Sequence, residues 1–317
     1  MILGLVCFYG SVREKSSVFA KKLLDKARVS FESVVKVSST MPNLKDIKTR
    51  IHSVKSTQKI TKAMKMISTA RLNKARVSLA NHLEYSGAMQ SFVSSLLPLV
   101  DMKEDFASPI IKNFFQGCGK KTLVIVVSTD KGLCGALNTF LFKELANCVD
   151  GNSIVLPFGK KAFEYTKSRF EPIIQRPFLT SKPEQHSCML DEALDIIKKN
   201  NIGSVKLIYP EFISVMTQIP KIQPIPPAVE TTKTDFLIEG CPIKTLEMAT
   251  LEMIKSSIST AISQLLCSEH AARMIAMDAA TNNAKERIKS LTLVYNKTRQ
   301  ANITKEILEI VAGSQAV

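Results

Sequence analysis

Tryptophan is absent from these 317 residues, and all aromatic residues together make up only 6% of the chain. A surface that stacks nucleic-acid bases needs aromatic platforms, so the composition argues against a single-strand binder of that kind. Cysteine pairing is missing too. The seven cysteines are scattered, odd in number and never spaced as Cys-x-x-Cys, and they read as reduced thiols in a reducing compartment. The four histidines are isolated, with no spacing suited to metal ligation. No metal, no cofactor and no catalytic constellation is expected. No apolar run approaches the ~18 residues that a membrane span requires.

Two further absences are confined to parts of the chain. From Ile243 to Val317 there is no proline, and Gly313 is the only glycine. Continuous helix over that stretch would run for roughly 110 Å at 1.5 Å per residue. A helix so long cannot be buried in one compact core and is expected to project, which favours a mechanical or scaffolding role over a pocket enzyme. Between Pro42 and Pro98 a second proline-free stretch is interrupted only by Gly87, enough for about 80 Å of helix. Apolar residues of the distal stretch recur in steps of three and four through Leu251, Ile254, Ile258, Ala261 and Leu265. They continue through Ala272, Ile275 and Ala279 to Leu293, Ile303, Ile307 and Ile310. That spacing predicts a seam against another helix, as in an antiparallel coiled coil. Alanines at 271, 272, 276, 279 and 280 would let a neighbouring backbone come close.

What the chain does have is positive charge, a formal +15, which points to an acidic partner: nucleic acid, an anionic surface or an acidic protein. Much of it lies in Lys45–Arg76, where ten basic residues face Asp46 as the only acid. Three readings follow: a nucleic-acid-binding helix, the solvated face of a coiled coil, or a charged rod beside an acidic protein ring. Residues 1–41 differ again, with Arg13, Lys15, Lys21, Lys22, Lys26, Arg28 and Lys36 among many serines. They read as a transit peptide, the alternative being an extension with no address in it.

Between the long stretches the pattern becomes that of an α/β domain. Thr122–Thr129 and Ser153–Phe158 are short β-branched runs of buried-strand type. Helices are predicted after each, with a third over His186–Asn200. Strands are predicted over Ser204–Tyr209 and Phe212–Ile219, and prolines 220, 224, 226 and 227 are expected to end them. Strands alternating with helices imply parallel pairing and a sheet covered on both faces. The fold class is therefore α/β: a long antiparallel coiled coil of N- and C-terminal helices plus a central Rossmann-like α/β domain. The expected boundaries are 1–41 for the extension, 42–98 and 243–317 for the long helices, and 99–242 for the central domain. The glycine-bearing loop Ser128–Gly135 could cradle phosphate at a helix N-terminus. It lacks both phosphate-loop fingerprints, and the preferred reading is a tight turn with Cys134 as a packed thiol.

Four blocks of the chain resemble the gamma subunit of F-type ATP synthases, the central stalk of F1. They are Asn43–Met66, Ser128–Asn138, Ser268–Ala284 and Tyr295–Gly313, in family order. The resemblance implies a rotary shaft without nucleotide chemistry of its own, inside a ring of three alpha and three beta subunits. It couples rotation of a membrane c-ring to conformational cycling of the catalytic sites. The implied partners are the alpha and beta subunits, the epsilon/delta stalk subunit and the c-ring, with no homo-oligomer, no nucleic acid and membrane contact only through the c-ring. The implied location is the matrix side of the mitochondrial inner membrane, the alternative being the cytoplasmic side of a bacterial inner membrane. Carried over position by position, Met64 and Lys65 match a site facing an acidic beta-subunit loop. Arg299, Gln300 and Thr304 match a polar cluster that contacts another beta-subunit loop, and Glu239 a base position near the c-ring. The remaining alternative is a basic coiled-coil protein that binds nucleic acid.

Overall fold

A run of β-branched and leucine side chains with no polar break fixes the centre of the molecule. In the computed structural model, which describes residues 43–99, 109–115, 119, 121–170, 174–200, 202–226 and 241–315, this run is strand β1 (Lys121–Val127). Every residue from Leu123 to Val127 is fully buried, because the strand is covered on both faces. The proposed leader and Glu239 lie outside the described residues.

The other strands are β2 (Ser153–Phe158), β3 (Ile202–Phe212) and β4 (Gln218–Ile225), in the order β2-β1-β3-β4. β1 pairs in parallel with β2 (Ile125 opposite Leu156) and with β3 (Ile125 opposite Leu207). The helices are α1 (Leu44–Leu96), α2 (Pro109–Phe115), α3 (Leu137–Cys148), α4 (Lys160–Lys167), α5 (His186–Lys199) and α6 (Pro242–Gln315). Period-two alternation sorts the strand side chains between two cores. Leu123, Ile125, Val127, Leu156 and Leu207 pack with Met189, Ala193 and Ile197 of α5 and with Met253, Ile254, Ile258 and Leu265 of α6. Val124, Val126, Val155 and Ile208 face the other way, onto Leu141 and Leu145 of α3 and Ala162 of α4.

The end of the sheet departs from expectation. Phe212–Ile219 is not a strand: β3 runs on to Phe212, residues 213–217 make a turn, and β4 returns antiparallel. Ser214 and Thr217 close that turn through their backbones at 3.1 and 3.3 Å, and Ile213 and Met216 are exposed. Pro220 and Pro224 lie inside β4 rather than ending a strand. They are tolerated because β4 is an edge, where a missing N–H leaves no ladder bond unmade. Pro210 of β3 stands opposite Pro220, beyond Ile208, the last β3 residue paired with β1.

The described chain forms two units, one joining the residues up to Lys55 to those from Glu286 onward, the other running from Ser56 to Lys285. Within the larger unit α1 and α6 are antiparallel. Thr281 donates to the Thr61 hydroxyl at 2.8 Å, Lys65 pairs with Asp278 at 2.6 Å, and Thr260 donates to the His82 carbonyl at 3.1 Å. The covered positions of α1 step by three and four through Gln58, Thr61, Lys65, Ser68, Leu72, Ala75, Leu79, His82, Ser86, Met89 and Val93. That is a heptad seam. On α6 the helix is buried nearly all round from Met253 to Glu269, because the sheet covers one side and α1 another. Its buried hydroxyls are satisfied locally or across the interface. Ser257 donates to the Met253 carbonyl at 2.8 Å and Ser268 to the Pro210 carbonyl at 3.0 Å, while Gln264 accepts the Phe212 N–H at 2.8 Å. In the smaller unit Ile47 is buried, but the expected seam residues Leu293, Ile303, Ile307 and Ile310 are 46–71% exposed. The distal part of that seam is uncovered in the chain by itself.

Candidate functional site

The loop at the carboxyl end of β1 sits where the parallel sheet branches to β2 and β3, the place at which α/β folds usually bind ligands. Here its polar groups are taken up internally. The Ser128 hydroxyl accepts the Ala162 N–H at 2.7 Å, the Thr129 carbonyl accepts that of Lys161 at 3.2 Å, and the Asp130 carboxylate accepts that of Lys160 at 3.1 Å. These are the first N–H groups of α4, which has no capping side chain of its own. Three consecutive residues of one loop thus fill the anion-attracting end of a helix that begins 30 residues later. Asp130 also accepts from Thr180 N at 3.2 Å and Ser181 N at 2.7 Å, tying a third segment to the same carboxylate.

Further along the loop Lys131–Leu133 are exposed, while Cys134 is buried. Asn138 donates to the Thr129 hydroxyl at 2.8 Å and lies 3.6 Å from the Cys134 sulfur. Burial pushes the Cys134 thiol up, so it is a packed thiol and not an activated nucleophile. Gly159 has φ +97°, and a Cβ there would strike the Ser128 carbonyl. The loop is fastened to α6 by Arg273, which donates to the Gly132 carbonyl at 3.2 Å and pairs with Glu269 at 2.6 Å. Both of those side chains are buried, at 11% and 7% exposure. Burial raises the Glu269 carboxyl, and Arg273 pulls it back. This anchor escaped sequence reasoning: Glu269 and Arg273 have the i, i+4 spacing of an ordinary surface pair, and nothing in the letters says that the pair is buried.

The residues matched by resemblance fall in both units. Met64 and Lys65 are partly covered on α1 in the larger one, with Lys65 engaged by Asp278. Arg299, Gln300 and Thr304 lie in the smaller unit, exposed on adjoining turns of α6, with the Thr304 hydroxyl donating to the Gln300 carbonyl at 3.0 Å. The Arg299 guanidinium makes no ion pair among the described residues. No cluster able to hold a metal ion occurs among the described residues, and no described helix is long and apolar enough to cross a membrane.

A mixed sheet packed on α6, with α1 antiparallel to α6 on another of its sides, and a β1 loop tied to α4 and α6 by its own polar groups together describe an α/β domain built onto a long helix pair. The sequence profile of the ATP synthase family matches residues 43–317. The ATP synthase gamma chain of Solibacter usitatus is 34% identical over 287 residues, covering 87% of this chain and 99% of its own. That of Rickettsia canadensis is 36% identical over 292 residues, covering 87% and 100%. The chain belongs to the ATP synthase family, among its gamma chains. Its fold is also that of a chain in the mitochondrial ATP synthase of Euglena gracilis, with a TM-score of 0.63 at 19% identity over 86% of this chain and 94% of that one. A chain of the central stalk and c-ring structure of Tetrahymena thermophila mitochondrial ATP synthase gives 0.54 at 21%, over 70% and 99%.

Proposed function

We propose that this chain is the central shaft of an F1 ATP synthase, turned by a c-ring and turning inside three alpha and three beta subunits. The observation that carries the reading is its match to gamma chains from end to end of their length, at 34–36% identity. The shaft is non-catalytic. Its work is to present a different face to each of three chemically identical sites, because only differential contact shifts a site's conformational equilibrium. The epsilon/delta subunit and the c-ring hold the base, with Glu239 as a base position near the ring. Met64 and Lys65 meet an acidic beta-subunit loop, and Arg299, Gln300 and Thr304 meet another. The chain does not self-associate. Residues 1–41 act as a transit peptide, and the complex sits on the matrix side of the mitochondrial inner membrane. The nucleic-acid alternative has no support in the family to which the chain belongs.

The test is to tag the endogenous chain, purify it under native conditions and weigh the complex. One copy with three alpha and three beta subunits is the expected result, and a stable homodimer with no such partners would overturn the reading. Mass spectrometry of the same preparation locates the mature N-terminus, which is expected near Met41. An intact Met1 would instead favour a bacterial membrane.

A further inference from the structure

Within the larger unit a cleft of about 420 Å³ opens between α1, α6 and the 3-10 turn Pro183–Gln185. Its titratable lining is entirely basic or imidazole: Arg71 and Lys74 on α1, with His82, His186 and His270. No carboxylate is among the described residues that line it, and neither Arg71 nor Lys74 makes an ion pair with any described residue. Two exposed cations side by side without a counter-charge repel each other and attract an anion. The ring of His270 also lines the cleft. Its Nδ1 is enclosed and has no hydrogen-bond partner among the described residues, a state that is uncommon in folded proteins. His186 is held in place by its Nε2 contact with the Thr180 carbonyl at 2.9 Å. A metal ion does not suit the site. The histidines form no metal-holding cluster, and the two flanking cations would repel one.

We propose that this cleft binds a small phosphate-bearing anion, with Arg71 and Lys74 pairing its charge and the His270 ring forming part of its wall. Ser78, Ser259 and Ser263 offer hydroxyl donors to the remaining oxygens, and Ala75, Ile262 and Leu266 supply an apolar wall. The volume lies in the range of small-ligand sites. Groups converge on it from three elements rather than along one helix face, which suits a compact ligand better than an acidic protein segment. Two sources share this chemistry: a free phosphate or pyrophosphate, and a phosphate ester such as a nucleotide. The site is separate from the rotary contacts proposed above and stands or falls independently of them.

The experiment uses the full-length chain by itself, so that no catalytic nucleotide site is present to compete. Pyrophosphate, phosphate and ADP are titrated at constant ionic strength, with chloride as the control, while the melting temperature and the histidine ring NMR signals are followed. A ligand that binds the folded state raises the melting temperature saturably. The expected result is a saturable rise with at least one phosphate-bearing anion, together with a shift of the His270 ring signals. The double variant Arg71→Gln/Lys74→Gln should weaken binding at least tenfold. Lys48→Gln/Lys55→Gln, which removes the same charge from the same helix outside the cleft, should leave it unchanged. Both cleft cations are exposed, so the variant is expected to fold, and the NMR shift in the parent chain needs no variant at all. Tighter binding of ADP than of pyrophosphate assigns the nucleotide, and equal binding assigns the bare phosphate group. A non-saturable response, equal losses in both double variants, or protection by a polyglutamate peptide with none by pyrophosphate would overturn the proposal.

Discussion

Arg273 and Glu269 show what one turn of helix can hold when the sheet closes over it. Their 2.6 Å contact is shielded from water, and the guanidinium also carries the Gly132 carbonyl. Arg273→Ala would leave a carboxylate buried alone, so we expect a loss of about 3–5 kcal/mol in urea denaturation. The paired change Glu269→Gln/Arg273→Met, which removes both charges, should cost clearly less. One residue away, burial first, and then the charges of Arg273 and Arg71, hold the His270 imidazole at about 4 against an ordinary 6.5. A depressed base binds fewer protons in the folded state than in the unfolded chain. Its contribution to stability is therefore intact above pH 6.5 and is lost as the pH falls towards 4. His270→Gln should flatten that acid limb of a melting-temperature profile, and an unchanged limb would show that another group sets it. None of this was legible in the letters, because sequence gives the spacing of these residues but not the sheet that buries them.

At the scale of elements, absence was the best guide. The lack of proline and glycine foretold both long helices, and the β-branched runs foretold β1 to β3. The α1 seam stayed hidden because so many of its covered positions are polar: Gln58, Thr61, Lys65, Ser68, His82 and Ser86. Small hydroxyl side chains can be covered at a helix interface if they bond back to their own helix or across it, as Thr61 does to Gln58 and Thr281. A search for apolar periodicity passes over them. The β3–β4 hairpin was misplaced for the opposite reason. Exposed Ile213 and Met216 look like strand residues, and Pro220 and Pro224 look like terminators until the edge position of β4 is known. Gly159 is the element-scale position most open to test. Its φ of +97° and the close Ser128 carbonyl leave no room for a Cβ. Gly159→Ala is expected to lower stability by more than ~1 kcal/mol in chemical denaturation, while Gly151→Ala, where a Cβ meets nothing within 4 Å, should be close to neutral.

The whole molecule carries a formal charge of +15 and leaves Ile303, Ile307, Leu308, Ile310 and Val311 uncovered towards the end of α6. An apolar end can turn within an apolar collar because no fixed ion pair has to break at each step. Arg299 and Gln300 differ in kind, being exposed polar groups able to make directional contacts. In assembled enzyme, truncation after Ala312 should therefore leave ATP hydrolysis and proton pumping largely intact. Arg299→Ala or Gln300→Ala should reduce them roughly tenfold, as expected for the loss of one charge-assisted contact. If truncation stops both activities while Arg299→Ala changes neither, the roles assigned to tip and cluster are reversed. The resemblance that located these positions rests on four blocks of letters; the partners that would cover them leave no direct mark in one chain.

The borrowed cap on α4 bears on how the chain reaches this structure. Eight residues are too few to persist as an isolated helix in water, and the groups that accept its first N–H bonds stand at the far end of β1. That end comes within reach only when β1 and β2 are aligned in parallel. The helix therefore reports on the strand pair. It is complete when the register is right, and a one-residue slip would withdraw Ser128, Thr129 and Asp130 together. In a parallel sheet, where no tight hairpin sets the alignment, such a proofreading contact gives a growing chain a local criterion for a correct long-range pairing.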